Sequence, residues 1–173
     1  MKKSILFPIA IAVISCCNTK SSISTTNMKN NSENVKIEDC PENGDCHFEI
    51  LQNKGLSIKT NTIGEKYYEI EDNLEKVVFV YKYQQKVKDT TLQDAGYREE
   101  IAFEMDKNYS DFSLANKQLQ STKMIFGVFC YCKGKAGYYT VREGSIVKKG
   151  SQLLIDITPV VDNQKITKAK ISL

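Results

Sequence analysis

Four of the six cysteines fall in two close pairs: Cys40 and Cys46, separated by Pro-Glu-Asn-Gly-Asp, and Cys130 and Cys132, on either side of Tyr131. Thiols so placed can form disulfides, hold a soft metal or exchange with other thiols. His47, beside Cys46, is the single histidine and the one imidazole open to a metal or a general base. Structural zinc sites typically use a two-residue gap, and a redox C-x-x-C opens a helix. Neither pattern occurs, so no metal ligand set and no cofactor is assigned. In an oxidising compartment an even set of four reads as two disulfides. A thiol-redox or metal-handling site using Cys40, Cys46, Cys130 and Cys132 is the alternative. Connectivity stays open. Pro41, Asn43 and Gly44 are turn formers that let the chain fold back between Cys40 and Cys46. Residues i and i+2 of an extended strand lie ~6.6 Å apart, near the upper limit for bridged Cα atoms, so a bridge between Cys130 and Cys132 needs a local kink. If both instead share one strand face, each pairs with Cys40 or Cys46 on a neighbouring strand. The local pairing is narrowly preferred.

Other residues with chemical potential are fewer. There is no G-x-S-x-G, no H-E-x-x-H and no phosphate-cradling glycine loop. Glu99 and Glu100 point to opposite faces of a strand, and Glu69 and Glu71 have the spacing of a solvated edge. No catalytic residue is named, and the chain is read as a non-enzyme. His47 alternates with Phe48 and is expected to face solvent. Tyr131, Tyr138 and Tyr139 gather around residues 134–137 with Lys133 and Lys135, a composition of contact surfaces. Ordinary cross-strand aromatic pairing is the competing reading. Asp89-Thr90-Thr91 resembles a short O-glycosylation sequon of Bacteroidetes-type bacteria, which makes Thr90 a candidate acceptor.

These residues need elements to position them and an address that sets their redox state. The chain has 173 residues and a formal net charge of +3, too small for a nucleic-acid binder with its basic stripe. A 41% hydrophobic fraction and a mean hydropathy of −0.37 exclude a polytopic membrane protein. Lys2 and Lys3 precede an apolar run over residues 5–14, interrupted by Pro8. That run is too short for a spanning helix, which needs about 20 residues, and reads as a signal peptide over residues 1–15. Val13-Ile14-Ser15-Cys16 resembles the bacterial lipobox. The resemblance implies cleavage after Ser15 and acylation of Cys16, so that the bilayer becomes a partner through that residue. Cleavage removes Lys2 and Lys3, leaving 22 of the 24 basic residues against 21 acidic ones, so charge then points to no partner.

Ser, Thr and Asn make up 12 of the 19 residues 17–35, without apolar periodicity. Residues 16–35 are thus the anchor and a disordered tether, and Cys17 within them has no assigned role. Residues 36–173 are read as one antiparallel β domain, a meander forming a sandwich or barrel-like body with at most one short helix. Period-two alternation marks strands at residues 46–50, 56–58, 67–70, 77–81, 101–105, 124–132, 138–141, 145–148, 153–157 and 165–172, separated by glycine and asparagine turns. Gly55 and Asp94-Ala95-Gly96 are read among those turns. Phe112, Ala115 and Leu119 at i, i+3 and i+7 suggest a short helix over residues 110–120.

The C-x5-C pair and the string Phe126-Gly127-x-x-Cys130-Tyr131-Cys132-x-Gly134-x-x-Gly137-Tyr138, with the signal and lipobox, resemble small envelope lipoproteins of unknown function from Bacteroidetes-type bacteria, over most of residues 38–142. The resemblance implies that the four cysteines form a unit and brings no activity, ligand or catalytic residue. The expectation is a lipid-anchored protein of the bacterial cell envelope, at the outer membrane facing the periplasm. It binds an envelope protein, glycan or small ligand, or serves a structural role, and does not bind nucleic acid.

Overall fold

A computed structural model describes residues 35–87 and 96–173. The expected signal peptide, Cys16, Cys17, nearly all of the expected tether, Thr90 and the turn residues Asp94 and Ala95 lie outside the described residues. Among the described residues the chain is all-β. It forms strands β1 (Lys36–Glu38), β2 (Gly44–Thr60), β3 (Lys66–Gln85), β4 (Arg98–Asp106), β5 (Phe112–Ala115), β6 (Ile125–Phe129), β7 (Gly137–Thr140), β8 (Gly144–Lys149), β9 (Gln152–Ile157) and β10 (Lys168–Ser172), with one 3₁₀ helix, Asn116–Thr122. The strands pair antiparallel.

Two five-stranded sheets face each other, in the orders β1-β10-β9-β8-β5 and β2-β3-β4-β6-β7. Inward residues of both make the main core: Phe79, Tyr81, Phe103 and Phe126 from one sheet, Ile146, Leu153, Ile155 and Ile171 from the other. Phe79 stacks between Phe48 and Phe103, with ring centroids 6.1 and 4.9 Å away, and meets the edge of Tyr109 at 5.3 Å. Strict alternation along β9 puts Leu153, Ile155 and Ile157 inside and Gln152, Leu154 and Asp156 outside, as period two requires.

The inner half of β3 is buried on both faces. Its odd-numbered residues Val77, Phe79, Tyr81 and Tyr83 enter the main core, while Val78 and Val80 join Leu56, Ala102 and Ile125 in a second, smaller core. That second core exists because the β2–β3 hairpin is long and bent. A register shift between Gln52 and Lys54, with Asn53 in the left-handed region at φ 58°, turns its outer half; bulges bend strands in this way. The outer half folds back until Lys66 pairs with Tyr138 of β7, closing β3, β4, β6 and β7 into a four-stranded barrel. Sandwich and barrel thus coexist in one domain.

Several local expectations change. Gly55 is not a turn but a buried strand residue, and β2 runs on through it. A Cβ there would lie 3.2 Å from Asn73 Cβ and 3.4 Å from Glu104 Oε2, so glycine permits a close passage rather than a reversal. The segment read as a helix is split. Phe112 and Leu114 alternate inward on edge strand β5, opposite Lys148 and Ile146 of β8. Asn116 at φ 50° then breaks the chain before the 3₁₀ turn, where Leu119 and Thr122 are buried. The i, i+3, i+7 spacing was coincidental, because pairing with β8 decided the conformation. The strand expected over residues 124–132 stops at Phe129, where the chain bends into Cys130.

Candidate binding cleft and the carboxylates of β4

Cys40 is bonded to Cys46 and Cys130 to Cys132, with Cα separations of 5.8 and 5.2 Å. The local pairing is therefore the one found. Gly44 lies so close to the Tyr83 ring that a Cβ would overlap it, and Tyr83 donates its hydroxyl to the Glu42 carbonyl at 3.1 Å. Tyr81 donates to Cys46 Sγ at 3.1 Å. The 40–46 loop is thereby seated on two buried tyrosines of β3. His47 is exposed. Among the described residues no group of three or more His, Cys, Asp or Glu is placed to hold a metal ion.

The acidic residues of β4 behave differently from their appearance in the sequence. Glu99, Glu100 and Glu104 are 0%, 4% and 3% exposed. Glu99 reaches across the main core to the segment before β10. It accepts from the backbone N–H groups of Lys165 at 2.7 and 2.9 Å and Ile166 at 2.6 Å, and from the Tyr97 hydroxyl. Glu104, on the other face, accepts from the Leu56 N–H at 2.7 Å and is paired with Lys123 at 2.9 Å. It fastens the outer half of β2 over the sheet.

Glu100 shares the Glu104 face and accepts at Oε1 from the hydroxyls of Tyr68 and Tyr138, each at 3.0 Å. The register explains how Tyr138 reaches it. Glu100 of β4, Gly127 of β6 and Tyr138 of β7 are directly opposed across three strands. With no side chain at Gly127, the Tyr138 ring lies over that backbone; a Cβ would sit 2.7 Å from Tyr138 Cε1. Tyr68 and Phe129 then meet Tyr138 edge-on, both at 5.3 Å. Of the carboxylate pairs noted in the sequence, Glu69 and Glu71 do lie on an exposed edge, both paired with Lys59.

Burial is the main reason the tyrosines of this network resist ionisation. It raises Tyr68, Tyr97 and Tyr138 well above the usual phenol range, helped by Glu100 for Tyr68 and Tyr138 and by Glu99 for Tyr97. Tyr81 is pushed up to about 12, again by burial first and then by Asp39. An unfolded chain ionises its tyrosines near pH ~10. The folded state keeps these four protonated above that point, so their contribution is intact below about pH 10 and lost as pH rises toward the folded values. Urea midpoints are expected to hold between pH 7 and 9 and to fall clearly by pH 11. An unchanged midpoint at pH 11 would contradict the network.

The candidate site is an open cleft of about 580 Å³ where the hairpin tip, β7 and the β9–β10 connection meet. Its wall at the tip is an Asn61 turn: Asn61 Oδ1 accepts from Ile63 and Glu65 N–H at 3.0 and 2.8 Å, and Gly64 takes φ 85°. Lys66 donates to Thr140 Oγ1 at 2.6 Å, tying the tip to β7. Thr158 N–H donates to the Glu143 carbonyl at 3.2 Å, and Val160 N–H to Gln164 Oε1 at 2.8 Å, fixing the opposite wall. Arg142 and Glu143 supply charge and Tyr138 and Tyr139 supply aromatic surface.

The three tyrosines singled out as a contact surface do not form one patch. Tyr138 faces the small core and Tyr139 packs on the main core, donating to the Lys135 carbonyl at 2.9 Å. Both line the cleft, whereas Tyr131 is 97% exposed on the turn between β6 and β7. Sequence reasoning missed Lys66, Arg142 and the hairpin tip, since only the fold of the hairpin brings residue 66 beside residue 140. The chain gives no significant match to any family model, curated protein or solved structure.

Proposed function

We propose that this is a lipid-anchored protein of the bacterial cell envelope, held at the outer membrane through acylated Cys16, whose β domain is a periplasm-facing binding module rather than an enzyme. The observation that carries the binding reading is the cleft. Its volume, about 580 Å³, falls within the range of small-ligand sites. It combines charges of both signs with tyrosine walls, a lining suited to a peptide, a glycan or another small polar ligand. The buried carboxylates of β4 support a structural role for these groups, because each is occupied by hydrogen bonds within the fold. The lipobox-like Val13-Ile14-Ser15-Cys16 supports the anchor, and two or more acyl chains make such an anchor stable.

Expression of the full chain in a bacterial envelope is expected to give a membrane-bound product whose amino-terminal peptide carries lipid on Cys16, and Cys16→Ala should release it. A soluble, unmodified wild-type product would sink the anchor reading. For the cleft, affinity capture with the lipidated protein should recover a ligand whose yield falls at least fivefold with Arg142→Glu. Equal recovery with that variant would exclude the cleft as the binding surface.

A further inference from the structure

The two disulfides sit in different settings. Cys40–Cys46 closes a loop seated on Tyr81 and Tyr83, whereas Cys130–Cys132 spans a single residue at the end of β6, and that residue, Tyr131, is 97% exposed. We propose that Cys130–Cys132 is an exchangeable disulfide that oxidises the paired thiols of a peptide or protein partner, while Cys40–Cys46 is structural. This is independent of the cleft reading.

Three observations carry it. First, the bridge holds the chain in a bend. The Cα atoms are 5.2 Å apart, against ~6.6 Å in an extended strand. Closing so short a loop also gives the smallest chain-entropy stabilisation of the oxidised form. Second, the surrounding turn is fixed and open. Lys135 N–H donates to the Cys132 carbonyl at 3.3 Å, and the Lys135 carbonyl accepts from Tyr139 at 2.9 Å. Cys130 packs against the main core, whereas Cys132 lies half-buried in the turn beyond it. Third, the chain around the bridge is basic. Residues 129–142 hold Lys133, Lys135 and Arg142 and no carboxylate. Cations lower thiol pKa and promote exchange.

The chemistry balances without a cofactor. A partner thiolate attacks Cys132 Sγ, the S–S bond breaks, and its electron pair leaves on Cys130 as thiolate. The partner's second thiolate attacks its own sulfur in the mixed disulfide, forming the partner disulfide and releasing Cys132 as thiolate. Two electrons pass from partner to protein. The two protons lost by the partner thiols match the two taken up by Cys130 and Cys132. Tyr131 offers the incoming peptide an exposed aromatic face.

The full chain in detergent, fully oxidised, is titrated with glutathione buffers, and thiols are then read by differential alkylation and peptide mass. Half-reduction of Cys130/Cys132 is expected at a glutathione excess at least tenfold lower than that for Cys40/Cys46. Equal susceptibility, or greater resistance of Cys130/Cys132, would overturn the proposal. In a second measurement, a synthetic peptide carrying two cysteines is mixed with oxidised protein. One peptide disulfide per chain is expected from wild type and none from Cys130→Ser/Cys132→Ser. No oxidation by wild type, or equal oxidation by the double variant, would also overturn it.

Discussion

Glu99→Ala is expected to destabilise the domain by about 4 kcal/mol, because it strips the acceptor from the Lys165 and Ile166 N–H groups and the Tyr97 hydroxyl at ~1–3 kcal/mol for each donor left unsatisfied in the interior. The carboxylate is 0% exposed and serves as acceptor for the Lys165 and Ile166 N–H groups and the Tyr97 hydroxyl. Truncation leaves two backbone donors unsatisfied between the sheets, each worth about 1–3 kcal/mol when orphaned in the interior, and adds a cavity. It also unties the segment that leads into β10, where Gln164 accepts from the Val160 N–H and donates to the Ile166 carbonyl. With a urea slope of ~2 kcal/mol/M, the midpoint should fall by about 2 M. Glu99→Gln keeps the shape but turns an amide N–H₂ toward backbone donors. It should lose roughly half as much, since one oxygen still accepts. A midpoint within experimental error of wild type for Glu99→Ala would show that the carboxylate is not the inter-sheet tie.

Gly127→Val should have the second largest effect, a loss of about 3 kcal/mol. Overfilling a packed core costs ~1–3 kcal/mol, and the displaced Tyr138 gives up a hydrogen bond to Glu100, a charged acceptor, worth ~1.5–3 kcal/mol. The added Cβ would lie 2.7 and 2.9 Å from two Tyr138 ring atoms and 3.0 Å from Phe129 Cε2. A double-mutant cycle isolates the cause. In a Tyr138→Ala background only the Phe129 ring edge still crowds residue 127, and Gly127→Val should lose most of its penalty. The same penalty in both backgrounds would assign the glycine some other role. Gly127 bears on the candidate cleft too, since Tyr138 is one of its walls and pairing of β7 with Lys66 closes the barrel beneath it.

Gly127 and Glu99 also show where sequence reasoning stopped. Gly127 stood in a recognisable string of residues, but nothing in that string said what passes over it. The answer needs the register in which Glu100, Gly127 and Tyr138 are opposed. Glu99 and Glu100 were correctly placed on opposite faces of a strand, but with no partner for either. Both faces of β4 turned out to be covered, one by the second sheet and one by the folded-back hairpin. Burial of Glu104 follows from the same fold, with its partner Leu56 lying 48 residues away in sequence. The cysteine pairing was left between two options, and the bend after Phe129 brings Cys130 and Cys132 together on the local one. The helix over residues 110–120 failed because three apolar residues match a helical period as easily as an edge strand followed by a tight turn.

What the sequence determined by itself was local. Period-two alternation, β-branched and aromatic runs and turn residues specified an all-β, antiparallel domain, because the pleat and the turn dihedrals are properties of neighbouring residues. The lipobox-like string and the polar stretch over residues 17–35 are linear patterns too, and the anchor and tether they suggest belong to the proposal. The tertiary structure alone decided the bend of the β2–β3 hairpin, the barrel it closes, the burial of three carboxylates and the cleft between residues 64–66 and 137–143. Each of those depends on which distant strands become neighbours. A buried carboxylate and a solvated one are spelled by the same letter until the partners that satisfy it are in place.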